Sequence, residues 1–225
     1  MNTFEKNMPQ TALILGASGL IGNNLLKLLL DSPSFSHVRA LVRKPLGLSH
    51  PKLEEIIVDF QNMEQYKQAV GKGDVIFSCI GTTLKKVKGD KQLYKQIDFD
   101  IPVNAARFGI EAGYKQFVLI SAHLANAKSM IFYNRLKGET EDIIQTFPFE
   151  SIHIFRPSFL IGERKERRWL ELTFGRLMVY LSPLLPDASK PIEASMVAKG
   201  MMQVVINGIK GNHIYPNEQI KKLSK

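Results

Sequence analysis

Short apolar runs alternate with helix-like stretches along most of this chain, and this alternation restricts its fold more than any other feature. Six runs are predicted as strands: "TALILG", "HVRALVR", "LEEIIVDF", "DVIFSCIG", "QFVLISA" and "ESIHIFRPSFLIG". Most are continuously apolar, as expected when helices cover both faces of a parallel sheet. Strands that alternate with helices form right-handed βαβ units. The sequence therefore predicts an α/β fold with a doubly wound, mostly parallel sheet.

The helical stretches complete this pattern, and the last part of the chain departs from it. Helices are predicted at about 20–30, 63–70, 100–113, 132–145 and 193–208. Beyond Gly162 the sequence becomes basic, then apolar, then proline-rich. We expect residues 1–225 to form a single domain, to which residues 163–225 add a small C-terminal cap on the substrate side. A chain of this length buries roughly 70% of its surface, so it needs no disulfide to hold a core.

Composition places the chain among soluble, cytoplasmic proteins. The opening segment "MNTFEKNMPQ" is polar, and no apolar run approaches the ~18 residues that a membrane span requires. The single cysteine, Cys79, excludes an intramolecular disulfide framework and fits a reducing compartment. The net charge of +9 favours an anionic partner such as a phosphorylated cofactor, although a basic surface without a specific partner explains it equally well.

Three glycines follow the first predicted strand, and the third lies in the first turn of the first predicted helix, in the sequence "GASGLIG". Gly16 allows a tight turn, Gly19 lets a pyrophosphate approach the backbone, and Gly22 lets the helix pack against the strand. The N–H groups at the start of a helix bind phosphate. The spacing differs from the commoner G-x-G-x-x-G, but its place between strand and helix predicts a Rossmann-type dinucleotide site rather than a turn alone. The residues predicted to bind the dinucleotide here are Gly16, Ser18, Gly19, Leu20, Ile21 and Gly22.

The end of the second predicted strand indicates which dinucleotide is bound. An NAD site usually carries an acidic residue about 20 residues past the glycines, but this chain has none between Asp31 and Glu54. Arg43 and Lys44 stand in that region, and two cations there would pair with a 2′-phosphate. The sequence therefore predicts that NADP(H) is preferred over NAD(H); the alternative is that both are solvated surface cations.

The motif "YNRLK" places Tyr133 and Lys137 one turn apart on a predicted helix. This helix follows the fifth predicted strand, so the pair lies where the carboxyl ends of the strands bind ligands. Acid–base chemistry near pH 7 requires stabilisation of the tyrosine phenolate, which the Lys137 ammonium would favour. Tyr133 would then protonate a carbonyl oxygen, or deprotonate an alcohol, during hydride transfer.

Together these motifs resemble the short-chain dehydrogenase/reductase superfamily, in its extended or atypical branch. The resemblance rests on the glycine turn, "VDF" at 58–60, "CIGTT" at 79–83, "YNRLK" at 133–137 and "FRPSFLIGER" at 155–164. Within this branch the chain is similar to the Tat-interacting-protein group and its bacterial relatives, over roughly residues 11–169.

The resemblance implies roles for residues beyond the glycine turn and the tyrosine–lysine pair. Asp59 and Phe60 would flank the adenine, and Pro157 and Ser158 would lie beside the nicotinamide amide. The residues implied on the ribose side of the cofactor are Cys79, Ile80, Gly81 and Thr82.

One departure from the family concerns the end of the fifth strand. Family members with reductase chemistry usually have a serine pair there, and the second hydroxyl helps to hold the substrate oxygen. This chain has Ser121, predicted here as catalytic, followed by Ala122 and His123. If the working hydroxyl belongs at position 122, the site lacks one donor, a loss that costs about 10²–10³ in rate at oxyanion-type sites.

Other polar clusters favour ordinary structural roles. Five lysines lie between Lys85 and Lys95, but with one interleaved aromatic and no recognised module they predict no nucleic-acid site. The segment "ERKERR" at 163–168 could hold an anionic substrate or simply begin an exposed helix. The five histidines lack metal-ligand spacing, so no metal is expected. Cys79 lies in a predicted buried strand and is interpreted as a core residue.

The sequence thus predicts an NADP(H)-dependent oxidoreductase acting on an unidentified carbonyl or alcohol substrate. The alternative is a catalytically weak NADP(H)-binding sensor or regulatory scaffold that acts through a protein partner. A third hypothesis, epimerase or dehydratase chemistry on a nucleotide sugar, is disfavoured because a bulky substrate needs a larger cap. The protein is expected to be a monomer or homodimer.

Overall fold

The computed structural model describes residues 8–162 and 190–224, in which helices flank a parallel sheet. The strands are β1 (Gln10–Leu15), β2 (Phe35–Val42), β3 (Leu53–Ile57), β4 (Val75–Ser78), β5 (Gln116–Ile120), β6 (Ser151–Arg156), β7 (Leu160–Ile161), β8 (Ile192–Glu193) and β9 (Gly211–Pro216). The helices are α1 (Leu20–Asp31), α2 (Met63–Val70), α3 (Lys91–Lys95), α4 (Ile101–Glu111), α5 (Phe132–Ile144), α6 (Ala194–Ile206) and α7 (Asn217–Leu223). A π-helical turn, Gln96–Asp100, joins α3 to α4.

The large sheet formed by the described residues has the strand order β3-β2-β1-β4-β5-β6-β9, and every neighbouring pair is parallel. From β1 the chain builds outward through β2 and β3, and then returns to place β4 on the other side of β1. The direction of winding therefore reverses at β1. Such a switch point leaves a crevice beyond the carboxyl ends of the central strands, where open α/β sheets bind their ligands.

Alternate side chains of β1 enter two separate cores, one on each face of the sheet. Ile14 packs with residues of α1 and α6 on one face, whereas Leu13 and Leu15 pack with residues of α2, α4 and α5 on the other. All three side chains are fully buried. The predicted α/β fold with helices on both faces is therefore confirmed.

The C-terminal part of the described chain differs from the predicted pattern. The sequence indicates six strands, whereas the described residues contribute a seventh, β9, to the large sheet. This strand is polar and mostly exposed, with only Tyr215 deeply buried, so it lacks the apolar run that identifies an interior strand. The sixth predicted strand is also divided, because β6 ends at Arg156 and β7 pairs with β8. Residues 163–189, which include "ERKERR" and much of the predicted cap, lie outside the described residues.

Acid sensitivity of the fold is expected from His153, which is fully buried in β6. Burial, with a smaller contribution from the neighbouring His213, lowers the pKa of His153 to about 4. Unfolded histidine titrates near 6.5, so between pH 6.5 and 4 the unfolded chain binds the additional proton. The free energy of unfolding should therefore fall as the pH falls through this window, by at most about 3 kcal/mol from this residue.

Urea unfolding of wild type and His153→Gln at pH 7, 6, 5 and 4 measures this effect. The variant should show a shallower loss of stability than wild type, whereas the control His50→Gln, at a partly exposed position, should retain the wild-type slope. Equal slopes for wild type and His153→Gln would show that another group controls the acid sensitivity.

Candidate functional site

The glycine turn between β1 and α1 is packed so closely that side chains are excluded. A Cβ at Gly16 would lie 2.6 Å from the Cys79 carbonyl oxygen, and one at Gly22 would lie 2.1 Å from the Gly16 carbonyl oxygen. Gly16 also has a φ of +78°, a conformation that favours glycine. Gly19, the residue before α1, offers no side chain to cap the helix. The first N–H groups of α1 therefore face the crevice without a capping side chain, as an anion site requires.

A cleft of about 150 Å³ lies beside this turn, at the carboxyl ends of β1, β2 and β4. Of the predicted cofactor residues, those that line it are Gly16, Ser18, Gly19, Arg43, Phe60, Cys79, Ile80 and Gly81. The lining residues that the sequence did not identify are Ala17, Leu41, Val42, Lys86, Ile97 and Ile101. The cleft thus unites the glycine turn after β1 with residues that follow β2, β3 and β4.

Several predicted cofactor residues have other contacts. Ile21 is buried in the core below the turn, so its side chain supports α1 rather than a ligand. Lys44 is exposed and is not among the residues that line the cleft. The Asp59 carboxylate accepts a hydrogen bond from the Gln61 N–H at 3.0 Å, within a turn. The role of Asp59 beside the adenine stays a prediction.

The acidic side chains of β3, next to the end of β2, are already paired. Glu54 binds His37 at 2.7 Å and Arg39 at 2.8 Å, and Glu55 accepts a hydrogen bond from the Leu46 N–H at 2.9 Å. Neither carboxylate lines the cleft. The residues around the glycine turn therefore fit a dinucleotide, because they combine closely packed glycines and an uncapped helix start with an adjacent cation, Arg43.

Tyr133 and Lys137 lie one turn apart on α5, as predicted, but their exposures differ greatly. Tyr133 is 39% exposed and its ring packs edge-on against the Tyr94 ring, with centroids 6.5 Å apart. Lys137 is 5% exposed, and its Nζ lies 2.9 Å from Oδ1 of Asp98, which is also buried. The pair thus combines a partly exposed tyrosine with a buried, neutralised ammonium.

Asp98 was not identified from the sequence, although it connects the two halves of the site. It lies in the π-helical turn, and its Oδ2 accepts a hydrogen bond from the Thr82 N–H at 2.8 Å. Thr82 follows Gly81 of the cleft wall, so one carboxylate links the cofactor cleft to Lys137. The only local signal was a pair of aspartates, Asp98 and Asp100, among apolar residues in "QIDFDI", and it does not reveal the partner.

The charges in this cluster determine how Tyr133 titrates. Burial lowers the pKa of Lys137, but Asp98, Tyr133 and Glu141 together raise it by more, so the net pKa lies above its usual value. Burial raises the pKa of Tyr133, Lys137 lowers it and Asp98 raises it, with a net increase. The predicted effect of Lys137 is present but is outweighed, so in the protein alone Tyr133 is a neutral phenol at pH 7.

Ser121 is buried at the end of β5, and its hydroxyl donates a hydrogen bond to the Glu141 carboxylate. Arg156 binds the same carboxylate, with Nε 2.9 Å from Oε1. A cavity of about 340 Å³ borders Glu141 and Arg156, whose charges are paired with each other. Ala122 is also buried, at 7% exposure. The hydroxyl of Ser121 thus has a partner other than the substrate, and its catalytic role stays a prediction.

The residues after β6 are held by the C-terminal part of the chain. The Ser158 hydroxyl donates to the Lys190 carbonyl, and its N–H donates to Oδ1 of Asn217 at 3.1 Å. The Pro157 carbonyl accepts a hydrogen bond from the His123 N–H at 3.2 Å. These contacts tie the ends of β5 and β6 together, and proximity of Pro157 and Ser158 to a nicotinamide stays a prediction.

Sequence comparison establishes the family. A sequence profile described as NAD(P)H-binding matches residues 16–147, which is more than half of the chain and includes the glycine turn and the tyrosine–lysine pair. The chain belongs to this NAD(P)H-binding family. The match confirms the predicted resemblance to the atypical short-chain dehydrogenases/reductases, and the region matched ends just after α5.

Relatives in this family span most of the chain. The chain is 31% identical over 211 residues to "Protein FMP52, mitochondrial" of Candida albicans, covering 89% of this chain and 90% of that protein. It is 33% identical over 175 residues to "Protein HTATIP2" of Rattus norvegicus, covering 75% and 72%. The similarity to the Tat-interacting-protein group is therefore also confirmed.

Solved structures support the fold of this NAD(P)H-binding family member. The Bordetella bronchiseptica enzyme WbmH in complex with NAD+ superposes with a TM-score of 0.73 at 17% identity, over 96% of this chain and 80% of that chain. MoeE5 in complex with UDP-glucose and NAD superposes with a TM-score of 0.70 at 16% identity, over 91% and 75%. At such identities the similarity shows the fold alone.

Among the described residues, no helix is both long enough and apolar enough to cross a membrane.

Proposed function

We propose that this chain is an NADP(H)-dependent oxidoreductase that reduces a carbonyl compound or oxidises the corresponding alcohol. The observation that carries the proposal is the position of Asp98, which accepts from the Thr82 N–H at 2.8 Å and lies 2.9 Å from the Lys137 Nζ. A cofactor cleft and an acid–base pair on separate elements are thereby held in one rigid arrangement. A site for cofactor storage alone would not need Tyr133 and Lys137 to be fixed to its wall.

The cofactor would be held by the glycine turn and by Arg43. Gly16 and Gly19 let its phosphates approach the backbone, and the first N–H groups of α1 would bind them. The cation Arg43 lines the cleft, and no acid lies between Asp31 and Glu54 along the sequence. We therefore expect NADPH to bind more tightly than NADH, since an acid would be needed to accept from a free ribose 2′-hydroxyl. Equal affinities in a fluorescence titration would contradict this part of the proposal.

Proton transfer is assigned to Tyr133. Bound NADPH supplies the hydride for the reduction. The raised pKa of Tyr133 keeps its hydroxyl protonated at pH 7, so it would donate a proton to the substrate oxygen. Lys137 would stabilise the phenolate that results and would bind the ribose hydroxyls of the cofactor. In the alcohol-oxidising direction Tyr133 accepts the proton, so that reaction should become faster as the pH rises.

The test is NADPH oxidation over a panel of aldehydes and ketones by wild type and Tyr133→Phe. We expect the variant to lose about 10²-fold in turnover, with the Kd for NADPH changed by less than about threefold. Tyr114→Phe is the matched control, because Tyr114 precedes β5 at the opposite end of the sheet and donates to the Val70 carbonyl. Turnover that survives in Tyr133→Phe would remove Tyr133 from the mechanism.

A second function, an NADP(H)-dependent sensor or scaffold, is favoured by the end of β5. The Ser121 hydroxyl is already bound to Glu141, and Ala122 supplies no hydroxyl. A site that lacks this donor would turn over slowly and could instead report cofactor binding to a protein partner. Tight NADPH binding without Tyr133-dependent turnover of any substrate in the panel would favour this function over the enzyme.

The cytoplasm is the proposed location, on the basis of the single cysteine, which fits a reducing compartment. The relative from Candida albicans carries the word mitochondrial in its name. Subcellular fractionation of cells that express the full chain distinguishes the two locations.

A further inference from the structure

Two cations from opposite sides of the cleft line the same space. Arg43 follows β2, and Lys86 lies in the segment between β4 and α3. Lys44, which the sequence paired with Arg43, is exposed and does not line the cleft. Because β1 separates β2 from β4 in the sheet, the two lining cations approach the crevice from its two walls.

The segment that carries Lys86 is structurally fixed. The Lys86 N–H donates to the Thr83 carbonyl at 2.9 Å. The Gly89 N–H donates to the Leu84 carbonyl at 2.8 Å, so Lys86 lies within a hydrogen-bonded turn. The next residue, Val87, is 5% exposed and packs in a small core with Tyr94 and Leu136. The backbone of Lys86 is therefore fixed in place, and its long side chain lines the cleft.

The charge around these two cations suits a phosphate. None of the described residues that line the cleft is acidic. Arginine and lysine together match a dianionic phosphate, the guanidinium by paired hydrogen bonds and the ammonium as a point charge.

We propose that Lys86, rather than Lys44, is the second cation that binds the cofactor's ribose 2′-phosphate together with Arg43. Lys86 is thereby a specificity-determining residue, which discriminates NADP(H) from NAD(H). The assignment rests on the proposed function, because it requires that the cleft bind the adenosine end of the dinucleotide. It also gives a role to one lysine of the segment 85–95, which is interpreted from the sequence as a solvated surface.

Equilibrium titrations of wild type, Lys86→Gln, Lys44→Gln and Arg43→Gln with NADPH and NADH test the assignment. Lys86→Gln should raise the Kd for NADPH by about tenfold, as expected for loss of a hydrogen bond between charged groups, and change the Kd for NADH by less than about twofold. Lys44→Gln is the matched control and should change neither Kd by more than about twofold. Competition by adenosine 2′,5′-bisphosphate should weaken in Lys86→Gln, while competition by 5′-AMP should not.

Three results would overturn the assignment. Equal losses for NADPH and NADH in Lys86→Gln would place Lys86 on the pyrophosphate, which both dinucleotides share. A larger effect of Lys44→Gln would restore the cation pair predicted from the sequence, and an unchanged Kd for NADPH in Lys86→Gln would exclude contact. Failure of the proposed function looks different, because wild type itself would then bind neither dinucleotide or would prefer NADH. Melting temperatures of the three variants within about 2 °C of wild type would confirm that substitutions at these exposed positions leave the fold intact.

Discussion

Gly22→Ala is expected to abolish measurable NADPH binding and to destabilise the fold by about 3 kcal/mol, in the upper range for overpacking. The added Cβ would lie 2.1 Å from the Gly16 carbonyl oxygen and 3.1 Å from the Ala17 Cα. Both neighbours are backbone atoms, so no side chain can rotate away. Relief requires α1 to move outward, which would loosen the packing of Leu25 and Leu29 in the core. The same movement would displace the helix start from the phosphates.

Urea unfolding and NADPH titration of Gly22→Ala measure the two effects separately. Gly81→Ala is the control for stability, since its added Cβ would meet only Oδ1 of Asp98, at an ordinary contact distance of 3.8 Å. That variant should remain within about 1 kcal/mol of wild type, because an ordinary contact requires no rearrangement. If Gly22→Ala unfolds like wild type and binds NADPH with unchanged affinity, the turn is not packed as described and does not hold the phosphates.

Asp98→Ala should cost about 3–5 kcal/mol of stability, because it leaves the Lys137 ammonium buried without its partner. Lys137 and Asp98 are 5% and 1% exposed, so water cannot replace the lost carboxylate. The substitution also leaves the Thr82 N–H without its acceptor. Removal of both charges in Asp98→Ala/Lys137→Met should recover a large part of the loss, since no isolated buried charge remains. A double-mutant cycle by urea unfolding measures the coupling, and additive losses would show that the two charges do not interact.

The pH dependence of stability provides an independent readout of the same pair. In wild type the pKa of Lys137 is raised, so its contribution is complete below about pH 10 and is lost as the pH rises through the folded pKa. In Asp98→Ala the largest remaining effect on Lys137 is burial, which lowers its pKa, against smaller opposing effects of Tyr133 and Glu141. The stability of this variant should therefore increase as the pH rises toward 10. If the stability of wild type and of Asp98→Ala changed with pH in parallel, the pKa of Lys137 would not depend on Asp98.

The features that were predictable from the sequence are those encoded locally. Residues 10–31 form a strand, a turn and a helix with contacts within a short segment, and Tyr133 and Lys137 share a face because they lie four residues apart. Periodicity and glycine spacing report such arrangements directly. The fold class follows from the same local patterns, because alternating strands and helices have few ways to pack.

The contacts that escaped prediction join segments far apart in sequence. Lys137 pairs with Asp98 only because the π-helical turn packs against α5, and Ser121 reaches Glu141 only when β5 lies beside that helix. No spacing rule selects one aspartate or one lysine among many. The strand β9 escaped for a different reason, since an exposed edge strand carries too few apolar residues to stand out from a loop.

The burial of the Lys137–Asp98 pair gives the two ends of the site different electrostatic environments. Arg43 is exposed to solvent, where dissolved ions screen interactions within about 10 Å at 0.1 M salt. Lys137 and Asp98 are enclosed by protein and are largely shielded from those ions. Binding of an anionic cofactor should therefore weaken as the ionic strength rises, whereas the Lys137–Asp98 interaction should change little with it. Salt can thus weaken cofactor binding without altering the buried charges beside Tyr133.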